Sequence, residues 1–177
     1  MMCFLQLILV TILTATSATS AQAQPRAAGT PAASPAERSF ERLKSLVGTW
    51  RGAWSDGRPV GLTYRLSAGG TVVVETWALS PTRESLTLYH MDKGALLATH
   101  YCPQGNQPRL RLTDAASDRM SFAFRDVTDL DPATESHQHA FSLRFDGPNR
   151  IARHETYRTG KTDETDLVVF ERSAAAP

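Results

Sequence analysis

The sequence predicts an all-β protein: a single antiparallel up-and-down β-barrel of about ten strands with a short N-terminal capping helix. Three observations predict it. Beyond residue 48, apolar and polar residues alternate in ten segments set about ten residues apart. The segments are separated by turn-forming stretches such as SDGR, SAGG, SPTR, DKG and DGPN, short enough for hairpins. A meander built this way removes its exposed edges most simply by closing on itself.

The chain opens with an apolar run from Cys3 to about Leu13, followed by small residues ending in Ala21-Gln22-Ala23. This is the pattern of a cleaved export signal. Residues 1–23 are therefore read as a signal peptide, and the mature protein as secreted or periplasmic. The apolar core is too short to span a membrane, and no later run is longer. Residues 24–35 are rich in Ala, Pro, Gly and Thr without apolar periodicity, which predicts a disordered linker. The barrel domain occupies 36–173 and a disordered tail 174–177. A net charge of +1 with interspersed acids and bases argues against a nucleic-acid surface. Cys102 has no partner cysteine in the mature chain, so no internal disulfide is expected. Nothing in the sequence specifies an oligomeric state.

The helix comes first. Ser34 is the predicted N-cap, Pro35 the first helical residue and Glu37 the capping-box partner. Phe40, Leu43, Leu46 and Val47 follow at helical spacing, and Gly48 is the predicted stop. The strands are expected at about 48–54, 59–67, 70–79, 84–91, 95–102, 108–113, 119–127, 137–145, 150–158 and 165–172. In a meander alternate connections share an end. SAGG, DKG, DAASD and DGPN thus lie with the helix at a closed floor. SDGR, SPTR, PQGNQ, TDLDPATE and RTGKTDE ring an open mouth, the last three being the longest.

The opening "FERLKSLVGTWRG" resembles that of lipocalin-like (calycin) barrels, where a short helix leads into a strand carrying Gly-x-Trp, here Gly48-Thr49-Trp50. The resemblance implies that Trp50 packs at the closed end beneath Arg172. "LVGTWRG" is especially similar to the start of the haem-binding nitrobindins, and the whole domain resembles secreted bacterial lipocalin-like proteins of unknown function. Nitrobindins take their haem-ligating histidine late in the chain, and no histidine follows His154 here. No cofactor is expected, although haem and zinc are the two left open.

Alternation separates inside from outside. Met120, Phe122 and Phe124 share an inward face. Pairing Leu112 with Met120 brings Leu110 opposite Phe122 and turns Arg109 and Arg111 outward. His137, His139, Phe141, Leu143 and Phe145 share the inward face of their strand, with both histidines near the mouth. A three-residue loop Asp92-Lys93-Gly94 would pair Met91 with Ala95 and turn Leu86, Leu88, His90, Leu96, Ala98, His100 and Cys102 inward. A two-residue loop would instead bury Leu97, Thr99 and Tyr101, because one step of register inverts a strand.

The resulting candidate ligand site comprises Phe122, Phe124, Phe141 and Leu143 as apolar lining, and His100, His137 and His139 as polar groups at the mouth. Glu75 is added as a carboxylate that alternates with Val73 and Trp77, and Asn106 as a rim amide. For Glu75 the outward alternative, with Val72 and Val74 inside, stays open. Glu155 is read first as outward. His100, His137 and His139 could together hold zinc, since three protein ligands plus water make a common catalytic site. His100 beside Cys102 also invites a Cys-His nucleophile reading, but no third group orients it. The function predicted is binding of a small amphipathic or hydrophobic ligand in the cavity. The alternatives are a metal-dependent or acid-base enzyme at the mouth histidines, and a protein-interaction or inhibitor module acting through its loops.

Overall fold

The computed structural model describes residues 32–131 and 133–174. The predicted signal peptide, most of the predicted linker and the last residues of the tail lie outside them. Helix α1 spans Pro35–Lys44 and is followed by ten strands. These are β1 (Gly48–Ala53), β2 (Pro59–Ser67), β3 (Val72–Ser80), β4 (Arg83–Asp92), β5 (Ala95–Tyr101), β6 (Gln107–Ala115), β7 (Arg119–Thr128), β8 (His137–Phe145), β9 (Arg150–Thr159) and β10 (Thr162–Arg172). Each strand pairs antiparallel with its sequence neighbours, and β1 pairs with β10 to close the barrel. The fold class is thus an all-β, closed, ten-stranded up-and-down barrel with one short N-terminal helix.

The helix start is the predicted capping box. Ser34 Oγ accepts from the Glu37 amide at 3.2 Å, and the Glu37 carboxylate accepts from the Ser34 amide at 2.6 Å. These bonds satisfy donors that the first turn would leave unpaired. The helix ends earlier than predicted, at Lys44, with Ser45 as the C-cap. Gly48 therefore starts β1 rather than stopping the helix. Its φ of +132° and a would-be Cβ 3.0 Å from Arg172 Nη1 explain why glycine stands there.

The floor is assembled as expected. Grooves beside α1 are lined by the connections that follow β2, β4, β6 and β8. Trp50 is fully buried and donates from Nε1 to Leu46 O at 2.8 Å. Arg172 lies over its ring, 4.2 Å from the centroid, and donates to Val47 O and Ser45 O. One guanidinium thereby ties the last strand to the helix–β1 junction and covers the indole. Phe40, Leu43, Leu62, Leu96, Leu110, Met120, Leu143, Ile151, Val168 and Phe170 fill the space above.

Several predicted registers need correction. The β4–β5 turn has two residues, with Asp92 opposite Ala95. Lys93 takes a positive φ as well as Gly94, which allows the tight turn that matches strand twist. The slip falls on β4, so β5 keeps Leu96, Ala98 and His100 inward. Across from them stand Met91, Tyr89 and Thr87, whereas Leu86, Leu88 and His90 face outward. In β6–β7, Leu112 pairs with Phe122, and Met120 pairs with Ala115. A bulge at Thr113 absorbs the difference, so Leu110, Met120 and Phe122 are still buried and Arg109 and Arg111 still exposed. The RTGKTDE stretch is no long loop: β9 and β10 continue through it and leave only Gly160-Lys161 between them.

Candidate functional site

The upper half of the interior is polar, and strand alternation puts it there. β3 turns Val73, Glu75 and Trp77 inward; β4 adds Ser85, Thr87 and Tyr89; β9 adds Arg153, Glu155 and Tyr157. Both open questions about carboxylates resolve the same way. Glu75 is 0% exposed and Glu155 5% exposed, so Glu155 is inward rather than outward.

These residues form one connected network. Glu75 accepts from Trp77 Nε1 at 2.8 Å and from Tyr89 Oη at 2.6 Å. Arg153 Nη1 reaches both Glu75 at 3.2 Å and Tyr89 Oη at 3.0 Å, while its Nε donates to Glu155 at 2.8 Å. The guanidinium lies 3.5 Å above the Phe141 ring. Burial opposes the Arg153 charge, but Glu75, Tyr89 and Glu155 outweigh it and hold the group protonated. Burial pushes the Glu155 carboxyl up; the Arg153 charge opposes that rise and Glu75 adds to it. Removing three charges from water is costly unless geometry and hydrogen bonds compensate. Compensation is incomplete here, because Arg153 Nη2 and the nearby Tyr64 hydroxyl have no hydrogen-bond partner.

Toward the mouth, His100 Nδ1 is 3.0 Å from Thr87 Oγ1 and its Nε2 is 3.5 Å from Tyr157 Oη. Burial drives its pKa down to about 4, so the ring is neutral at pH 7. A bulge lies between Gln138 and Ala140 where β8 pairs with β9. It breaks the alternation predicted for "HQHAF" and sets Gln138 opposite Tyr157. Gln138 is 0% exposed, lies beside the Glu155 carboxylate, and its amide oxygen makes no hydrogen bond.

Among the sequence-predicted residues, His137 and His139 come together. Their rings lie 5.5 Å apart, with His139 Nδ1 3.3 Å from His137 Nε2, and both pack on Phe124. His100 is engaged elsewhere, with Thr87 and Tyr157. No group of three or more His, Cys, Asp or Glu residues suited to a metal occurs among the described residues. Phe122, Phe141 and Leu143 belong to the packed core together with Phe145. Asn106 uses its amide to tie the β5–β6 loop to the β7–β8 connection, donating to Ser136 O at 2.9 Å. Cys102 is half-buried, and burial pushes its thiol up, away from the thiolate a nucleophile needs.

Open space at this end is a cleft of about 260 Å³ lined by Trp54, Glu155, Tyr157, Glu164, Thr165 and Asp166. Larger grooves of about 460 and 470 Å³ flank α1 on the outside of the barrel. Among the described residues the buried acidic and basic side chains are Glu75, Arg153 and Glu155, and Glu155 lines the mouth cleft with Arg153 bonded to it. Sequence reasoning missed Arg153, Tyr89, Gln138 and Tyr157. The available signal was the Arg-x-Glu-x-Tyr alternation of β9, which places three polar side chains on one face. The large exposed apolar residues, Val47, Leu66, Tyr101 and Leu167, form no mouth-side patch: Tyr101 and Leu167 stand on strands five apart around the barrel. No helix among the described residues is long and apolar enough to cross a membrane.

No protein-family model and no curated protein matches the chain. Among solved structures, it is similar to a protein of unknown function from the DUF3598 family of Nostoc punctiforme, at 14% identity and a TM-score of 0.47. The match covers 74% of this chain and 49% of the other, so the chain spans about half the length of that relative.

Proposed function

We propose that this protein is a lipocalin-like binding barrel that takes a small amphipathic organic ligand at its mouth. The ligand's polar end would be received by the buried network that begins at Glu155. One observation carries the reading: Arg153 and its two carboxylates are buried beneath the cleft although a packed apolar core would hold the barrel together without their desolvation cost. Convergent polar groups beneath a concave opening are the usual signature of a small-molecule site. The stacking of Arg172 on Trp50 beneath the core supports the lipocalin-like assignment, as the resemblance implied. We also propose that the chain is exported and that its mature form begins at Gln24, which N-terminal sequencing of the exported protein checks.

The test is native against denaturing mass spectrometry of protein purified from an exporting host. The expected result is an organic mass carried by the native form, released on denaturation and lost in Tyr157→Ala. No carried mass, and no binding of any compound from a small amphipathic library, would contradict the reading.

A second reading, acid-base catalysis, is favoured by one observation: Glu155 has a raised pKa and lines the cleft. Turnover of a screened substrate by wild-type protein that Glu155→Gln abolishes while substrate still binds would favour catalysis over carriage.

A further inference from the structure

The same cleft has a charge pattern that selects among ligands, an inference that rests on the reading of the cleft as a ligand site. On β10, Glu164 lies opposite Tyr157 and Asp166 opposite Glu155. Cross-strand partners share a face, so both acids point with them toward the mouth. Three carboxylates therefore line the cleft, and among the described residues no Lys or Arg does. The nearest buried positive charge, Arg153, is engaged with Glu75 and Glu155. Of the basic residues near this rim, Arg58 pairs with Asp56 and Arg158 with Asp163, whereas Arg83 and Lys161, at the β3–β4 and β9–β10 turns, form no ion pair among the described residues and do not line the cleft.

Two further features point to what would sit there. Trp54 and Tyr157 form aromatic walls, and Trp54 is held in place by Trp77, 5.4 Å away, which in turn packs edge-on against Phe170 at 5.1 Å. Opposite Tyr157 on the neighbouring strand, and beside the Glu155 carboxylate, lies the fully buried Gln138. Its carbonyl oxygen is an unused acceptor. Aromatic faces attract cations, carboxylates attract them more strongly, and a buried amide oxygen accepts from an N–H donor.

We propose that the mouth cleft selects a primary alkylammonium ion. Its ammonium group would lie between Trp54 and Tyr157, compensated by Glu155, Glu164 and Asp166. An alkyl carboxylate of the same length would be repelled by the same three groups.

Calorimetric titration with octylammonium, octanol and octanoate at low ionic strength tests this. Octylammonium should bind at least about tenfold more tightly than octanoate, with octanol between them. Glu164→Gln/Asp166→Asn, which alters exposed or half-exposed positions and so should fold, should remove most of that preference. Trp54→Ala, which leaves every charge in place, should weaken octylammonium binding. If octanoate binds as well as octylammonium, or if the double variant keeps the full preference, charge selection is overturned while the cleft remains a ligand site. If none of the three binds, the alkylammonium proposal falls, while the reading of the cleft as a ligand site stands or falls on the carried mass and the library screen.

Discussion

Arg153 and His100 show how far single side chains set the properties of this barrel. Arg153 separates two buried carboxylates, so removing it leaves Glu75 and Glu155 facing each other without compensation. Arg153→Met should destabilise the protein by about 3–5 kcal/mol, as for other broken buried pairs. Chemical denaturation at pH 7 measures this; a loss below about 1 kcal/mol would mean that water already solvates the network. His100 sets a pH limb. Its folded pKa of about 4 lies below the unfolded value near 6.5, so between these values the unfolded chain binds more protons. Stability from this group is complete above pH 6.5 and falls with decreasing pH, by about 3 kcal/mol in all at about 1.4 kcal/mol per pKa unit. Glu155 has the opposite sign: its raised pKa removes stability as pH rises from about 4.5 through the folded value. Melting curves of wild type and His100→Asn between pH 4 and 7 separate the two, since only the histidine limb should flatten.

At the scale of elements, the closure between β1 and β10 depends on a close approach. A Cβ on Gly52 would lie 2.6 Å from Val169 O and 2.8 Å from the Phe170 ring. Gly52→Val should therefore cost about 1–3 kcal/mol by overpacking, measurable by denaturant titration, and an unchanged midpoint would show that the seam gives way easily. At the other end of the chain, Ser34→Ala should cost about 1 kcal/mol through the lost cap. These elements were legible because each has a local cause. Ser-x-x-Glu makes a cap, turn residues end strands, and β2 and β8 span the predicted residues. The interior of the upper barrel was not legible, for a definite reason. Reading a strand's inward face from its apolar residues assumes an apolar interior. On β4 that reading chooses Leu86 and Leu88, yet Thr87 and Tyr89 are inside because their partners there are His100, Glu75 and Arg153. The β8 bulge is equally invisible to periodicity and exchanges the expected histidine alternation for a buried Gln138.

At the scale of the whole molecule, the barrel divides into a packed lower half and a polar upper half. The helix, Trp50 and Arg172 seal the lower half, and a ligand entering there would have to displace side chains that touch on every side. The upper half carries unmatched hydrogen-bonding groups and the cleft above them. Three of the grooves beside α1 are larger than the mouth cleft but, among the described residues, none is lined by a buried acidic or basic side chain, which makes the two ends of the barrel competing locations for a ligand. Amide NMR of the labelled protein titrated with octylammonium decides between them. Shifts confined to Trp54, Glu155–Tyr157 and Glu164–Asp166 are the predicted result. Shifts confined to Arg38–Arg42 and Ala115–Ser117, with the mouth unmoved, would contradict the account.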